Sequence, residues 1–364
     1  MTNIGIIGCG NISGIYLTAG EKFEALNIVG CADLDSVRAK AKAEEYGVKG
    51  YASVDEMLAD PNIDLVINLT IPGAHAEIAQ KVIAAGKHVY SEKPLGIDRA
   101  EGRAVIAAAD KTDLRVGNAP DTFLGGGLQT CRKLIDDGWI GDPLGATAFV
   151  MGPGHERWHP DPEFFYKSGG GPMLDMGPYY ITALVSLMGP IRRVSGSTRK
   201  TYAERTITSQ PKYGQTIAVD VPTHLAGLLD FECGAIGTLI TSFDTWAHSL
   251  PHIEIYGTQG TLTVPDPNTF GGPIRVKRAS NEDWSDIPTM FPYIENSRGL
   301  GVADMATAIE KGRPHRANGE LAMHVLDVMV AIQDSTESDK HVTLESTCAR
   351  PAPFPLGMLP GVLD

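Results

Sequence analysis

Short apolar runs alternate with helical stretches through the first third of the chain. Ile4 to Gly8 is an apolar run of strand length, and Asn11 to Phe23 reads as the helix after it. Ile28 to Ala32 is a second strand. Ser36 to Tyr46 has helical periodicity, with Asp35 as N-cap and Gly47 just past its end. Ser53 and Glu56 have capping-box spacing and open another helix. Leu65 to Leu69, His88 to Ser91 and Leu114 to Gly117 are further strands, with helices at Ala74 to Ala85 and Arg99 to Ala109. Strands separated by helices predict a parallel sheet with right-handed crossovers. Their mostly apolar character predicts a sheet covered on both faces.

The rhythm changes after about residue 122. A helix is predicted from Leu124 to Asp137. Strand patterns follow at Ala146 to Met151, Arg193 to Thr198, Thr223 to Phe231, Ile236 to Phe243, Ile253 to Tyr256 and Thr261 to Val264. Strands in succession with few helices predict one large, open, mostly antiparallel sheet. Two helices close the pattern, near Val302 to Lys311 and Gly319 to Asp334, before an extended Pro-rich tail. The fold class is therefore α/β. A parallel-sheet domain is expected over residues 1–122 and a second α/β domain over 123–364.

Composition narrows the function classes. A length of 364 residues suits two domains, and 43 % apolar residues suffice for their cores. The net charge is −13 with no Lys/Arg run, which argues against a nucleic-acid partner. Five cysteines without a CxxC pair predict reduced thiols and a cytoplasmic setting. No secretory pattern opens the chain, and no apolar stretch nears the roughly 20 residues of a membrane span, so no membrane association is expected.

Gly8-Cys9-Gly10-Asn11-Ile12-Ser13 joins the first strand to the first helix. The first glycine permits the tight turn, and the second lets backbone approach a pyrophosphate at a helix N-terminus. Ser13 stands where the pattern prefers glycine or alanine. Asp33 ends the second strand, placed to accept hydrogen bonds from both ribose hydroxyls and to repel a 2′-phosphate. Leu34 offers such a phosphate nothing, whereas Arg38 lies one turn on and within reach of it. NAD is expected in preference to NADP.

Gly86 to Gly96 runs from a strand into a turn containing Glu92-Lys93-Pro94. Pro94 keeps its predecessor out of helical geometry, at the strand end where ligands bind in parallel sheets. Lys93 would project there toward a nicotinamide, or it is simply a solvated surface lysine.

These motifs, with Thr70 followed by His75 and with Gly169-Gly170-Gly171-Pro172-Met173-Leu174-Asp175-Met176-Gly177, resemble the glucose–fructose oxidoreductase / inositol dehydrogenase (Gfo/Idh/MocA) family. The resemblance spans nearly the whole chain. It implies a Rossmann domain followed by an α/β domain whose open sheet forms a homodimer or homotetramer interface. It implies hydride transfer between NAD(P) and a sugar, polyol or related cyclic alcohol, with a small sugar-like molecule as partner. It also implies cofactor contacts from Gly8, Gly10, Asn11, Ile12, Asp33, Leu34, Arg38, Thr70, Ile71, Pro72, His75, Glu92 and Lys93.

Lys93 matches the family's catalytic lysine and Asp175 its aspartate, while Tyr179 stands where the inositol dehydrogenases carry histidine. That departure resembles the Asp-x-Gly-x-Tyr branch, and leaves Tyr179 or Lys93 as the proton carrier. Asp175 and Tyr179 lie four apart and share a helix face, with Pro172 in its first turn and Pro178 inside it. A Lys93 ammonium near the phenol would lower its pKa. A glycoside hydrolase that oxidises its substrate transiently is the alternative.

His155-Glu156-Arg157-Trp158-His159 spells a zinc-protease pattern, but flanking Pro153, Pro160 and Pro162 oppose the helix that zinc ligation would need, so no metal is expected. Read instead as a substrate wall, the loop offers Trp158 and His159. Asp121 and Thr122, after the last parallel strand, are further substrate candidates.

Overall fold

A computed structural model describes residues 1–364. Six parallel strands form the first sheet, in the spatial order Lys49–Gly50, Leu26–Ala32, Thr2–Ile7, Leu65–Asn68, His88–Ser91 and Val116–Asn118. Ile4, Ile6, Ile67 and Val89 are fully buried in it. The helices Ser36–Tyr46, His75–Ala84 and Arg99–Ala109 lie between successive strands. Asp35 caps the first of these by accepting from the amides of Val37 and Arg38, and Gly47 ends it in the left-handed region.

The helix expected from Asn11 to Phe23 is two short pieces, Ser13–Leu17 and Ala19–Lys22. The break is at Thr18, whose hydroxyl donates back to the carbonyl of Gly14 at 3.2 Å. Such back-bonding competes with the helical ladder.

The second sheet has nine strands, centred on Pro143–Met151, Ile236–Ser242, His224–Phe231 and Ile191–Arg199. Every pairing in it is antiparallel except that of Pro143–Met151 with Ile236–Ser242. Along His224–Phe231 the inward side chains Leu225, Leu229 and Phe231 are buried while Leu228 is half exposed. This period-two pattern marks a sheet covered on one face. The covering layer is helical: Gly171–Met188 and Gly319–Ser338. Arg275–Arg278 is a strand the apolar pattern misses, because Arg-Val-Lys-Arg buries only Val276 at a sheet margin. No helix is long and apolar enough to cross a membrane.

Candidate active site

The carboxyl ends of the parallel strands open into a cleft of about 580 Å³, whose other wall comes from the helix Gly171–Met188 and the loop before it. Gly8 turns at φ +99, where a Cβ would meet the Leu69 carbonyl at 2.6 Å, so a side chain there is excluded twice over. At Gly10 a Cβ would meet nothing within 4 Å, which leaves an open cradle above the turn. The backbone amides of Gly10, Asn11 and Ile12 meet no acceptor within the protein. Three free donors on a strand-to-helix turn fit a pyrophosphate.

Asp33 accepts from the amides of Cys9 at 2.7 Å and Asp35 at 2.8 Å, with Arg38 3.8 Å away. Leu34, Ile71 and Ile12 are exposed apolar side chains on the loops after the parallel strands, surfaces suited to an adenine ring. These residues fit a dinucleotide.

His75 borders the cleft, where a cofactor contact is expected of it, and is held by two backbone carbonyls. It is 1 % exposed, and its ring nitrogens face the carbonyls of Pro94 at 2.7 Å and Thr70 at 2.9 Å. Burial holds its pKa below the ordinary range against the pull of those carbonyls, so the ring is neutral and donates to one of them at a time. It clamps the Thr70 turn to the Glu-Lys-Pro turn. Asn68, which the sequence did not single out, works alongside: fully buried, it accepts from the Thr70 hydroxyl at 2.7 Å and donates to the His75 carbonyl at 3.0 Å.

Glu92 accepts from the Tyr16 hydroxyl at 2.8 Å and from the Lys93 amide at 3.1 Å, which fixes the turn ahead of Lys93. The Lys93 ammonium then reaches across the cleft. Its Nζ donates to the Asp175 carbonyl at 2.7 Å and to Asp175 Oδ1 at 2.9 Å, and lies 5.2 Å from the Tyr179 ring centroid. Pro178 has no N–H for the Leu174 carbonyl, and one residue on the Asp175 carbonyl accepts from a side chain across the cleft. Lys93, Asp175 and Tyr179 therefore converge.

Their charges follow from burial and proximity. Desolvation opposes the Lys93 ammonium, but the Asp175 carboxylate, helped by Tyr179 and Glu92, outweighs it and holds Lys93 above the ordinary lysine range. Burial likewise opposes the Asp175 anion, yet Lys93 and His155 keep it well below the usual carboxylate range. Lys93 acts on Tyr179 in the expected direction, stabilising the phenolate, but it does not prevail. Desolvation of the buried phenol exceeds the lowering by Lys93 and Arg298, and its pKa is raised. At neutral pH the site holds an ammonium, a carboxylate and a neutral phenol.

The wall loop forms a single 3-10 turn at His155–Arg157. Trp158 is 63 % exposed and lines the cleft, whereas His159 sits behind it against Phe164 and Phe165 and takes no part in the lining. Asp121 and Thr122 do not line the cleft either. Both are 1 % exposed, and one Asp121 oxygen accepts from the amides of Gly299 at 2.9 Å and Gly301 at 3.0 Å. The chain turns inward after Asn118, so these two serve packing and a buried cap.

Sequence reasoning missed His155, whose Nε2 lies 2.8 Å from Asp175 Oδ2, and Arg298, which lines the cleft beside Asn268. In the sequence His155 is one polar residue of a wall loop whose candidates are Trp158 and His159, and nothing local marks Arg298.

Residues 2–119 match the family model for the oxidoreductase family, NAD-binding Rossmann fold, and residues 128–263 match the GFO/IDH/MocA C-terminal domain. Myo-inositol 2-dehydrogenase of Thermotoga maritima is 24 % identical, covering 94 % of this chain and 98 % of its own. The 1,5-anhydro-D-fructose reductase of Ensifer adhaerens is 27 % identical, covering 95 % and 99 %. A structure of levoglucosan dehydrogenase in complex with NADH superposes with a TM-score of 0.83 at 22 % identity, covering 95 % of this chain and 99 % of that one.

Proposed function

The chain belongs to the GFO/IDH/MocA family of NAD-binding oxidoreductases, and on that premise we propose that it moves a hydride between nicotinamide and a hydroxyl-bearing carbon of a sugar, polyol or related cyclic alcohol. The observation that carries the reading is the unused donor of Lys93. An ammonium has three N–H groups. Two point at Asp175, and the third is left for a substrate oxygen in the cleft.

Bound NAD supplies or accepts the hydride. The protein's own groups handle the proton. In carbonyl reduction Lys93 donates from its third N–H to the oxygen that gains charge, a contribution of about 10²–10⁴-fold for a well-placed acid. In alcohol oxidation the reverse holds: Lys93 Nζ, as the neutral amine left once its own proton has gone to solvent water, takes the hydroxyl proton as the hydride leaves. Asp175 fixes the ammonium in place, and neutral Tyr179 donates a second hydrogen bond to the same oxygen. Trp158 gives the sugar a flat apolar face to stack on, at the mouth of the cleft. Asp33, whose carboxylate accepts from ribose hydroxyls and repels a 2′-phosphate, favours NAD over NADP.

We place the cofactor half at 1–122 and the substrate half at 123–364, with the exposed face of the large sheet as the contact of a homodimer or homotetramer in the cytoplasm. The hydrolase reading gains no support from relatives named as dehydrogenases and a reductase. The test is a panel of sugars, polyols and their keto forms with NAD and NADP, following absorbance of the reduced ring. Turnover with NAD and at least one cyclic polyol or sugar is expected, and no turnover with any member in either direction would refute the reading.

A further inference from the structure

Tyr179 leaves the cleft without an imidazole on the helix that carries Asp175. One arrives from the loop before that helix. His155 Nε2 lies 2.8 Å from Asp175 Oδ2, the carboxylate oxygen that Lys93 does not use. The other ring nitrogen, Nδ1, accepts from the Trp158 indole N–H at 3.2 Å. An indole is a donor only, so Nδ1 carries no proton in this arrangement and Nε2–H is the donor to Asp175.

The ring is held from several sides and faces the cleft with the rest. It packs edge-on against Phe165 at 4.2 Å and tilted against Phe243 at 4.5 Å. Its backbone N–H donates to the Tyr166 hydroxyl at 3.2 Å, and that hydroxyl donates to Glu156. Glu156 is 6 % exposed and paired with Arg205 at 2.7 Å. Arg205 in turn is paired with Asp244, which two threonines also reach: Thr223 at 2.6 Å and Thr201 at 2.7 Å. A buried ion network is costly to assemble and rigid once its partners are satisfied. Here it fixes the one turn that carries His155.

We infer that His155 is a positioning residue for the proton-handling pair. Its N–H pins Asp175 Oδ2, which leaves Oδ1 and the Asp175 carbonyl aimed at Lys93. Without that bond the carboxylate is free to rotate about its side-chain torsions, and the third Lys93 N–H loses its fixed direction. The charged and titratable groups around the ring are Asp175, Lys93 behind it, His159 along the loop, and the Tyr166–Glu156–Arg205 set beneath. Of these only Asp175 meets the Nε2 atom.

This inference rests on the proposed role of Lys93, so the experiment includes Lys93→Met beside His155→Leu, His155→Gln and His155→Gly. NADH binding by fluorescence reports folding and the cofactor site. His155→Leu is expected to bind NADH within about twofold of wild type and to lose about 10- to 100-fold in kcat, the scale of a displaced catalytic group. His155→Gln, whose amide can still donate to Asp175, is expected to regain much of that loss. His155→Gly is expected to regain activity as free imidazole is added, which a purely structural defect does not. Wild-type kcat in His155→Leu would overturn the inference. So would equal losses in Leu and Gln variants with no response of His155→Gly to imidazole. Full activity in Lys93→Met would instead refute the reading of the site on which the inference stands.

Discussion

Asp175 meets Lys93 twice, through its backbone carbonyl at 2.7 Å and its carboxylate at 2.9 Å. One residue of the second domain thus fixes both the charge and the direction of a side chain from the first. A two-point contact leaves little rotational freedom in a flexible lysine stem, and such loss of freedom is what a positioned acid requires.

The neutral phenol of Tyr179 is assigned one hydrogen bond to substrate, not the transferred proton. Tyr179→Phe should therefore cost about tenfold in kcat/KM, the value of one such bond. It should leave the shape of the pH–rate profile unchanged. Steady-state kinetics across pH checks both, and loss of an ionisation in the Phe variant would make the phenol the proton carrier.

Gly8 and Gly10 separate folding from binding. A Cβ at Gly8 collides with the Leu69 carbonyl in a positive-φ turn, so Gly8→Ala should destabilise the protein by about 1–2 kcal/mol or more. A Cβ at Gly10 meets no protein atom. Gly10→Ala should keep the wild-type stability to within about 0.5 kcal/mol. Its affinity for NAD should fall about tenfold or more as the methyl enters the pyrophosphate cradle. Thermal unfolding and cofactor titration of the two variants give the comparison.

Asp33 sets the cofactor preference. In Asp33→Ala the repulsion of a 2′-phosphate is gone and Arg38, 3.8 Å from that carboxylate and 3.7 Å from that of Asp35, loses one of its two acidic neighbours. The ratio of kcat/KM with NADP to that with NAD should rise by about tenfold or more, whatever happens to either value alone.

Asp121 predicts a pH dependence of stability. Desolvation raises its pKa to about 6, against the Gly301 amide and the Arg298 charge that lower it. The folded state therefore holds its proton more tightly than the unfolded chain does. The stabilisation is complete below the unfolded value of about 4 and is lost as pH rises through about 6, by up to about 3 kcal/mol. Asp121→Asn keeps an oxygen for the Gly299 and Gly301 amides and carries no charge. In denaturant unfolding, the stability of wild type relative to the variant should fall by up to about 3 kcal/mol between pH 4 and 7.

Much of this architecture was legible in the chain because local chemistry dictated it. The apolar runs Ile4 to Gly8 and Leu65 to Leu69 mark buried parallel strands by composition alone, and Asp35 and Gly47 bound their helix by capping. The long sheet was legible through alternation at His224–Phe231, and illegible at Arg275–Arg278, where a margin strand carries charge. Asp121 misled for a physical reason. Loops at strand ends usually face ligand, but this carboxylate turns inward to amides 178 and 180 residues away. His155 stayed hidden because its meaning depends on Asp175, 20 residues on, and on a pairing of Glu156 with Arg205 across 49 residues. No window of sequence displays such a contact.

The central claim is that Lys93 carries the proton while the nicotinamide carries the hydride. The most direct measurement follows formation or loss of the reduced ring in Lys93→Met at saturating NAD or NADH, with a sugar or polyol that the wild-type protein turns over. The account predicts cofactor affinity within a few-fold of wild type and turnover reduced by about 10²–10⁴-fold. Wild-type turnover in that variant would contradict it.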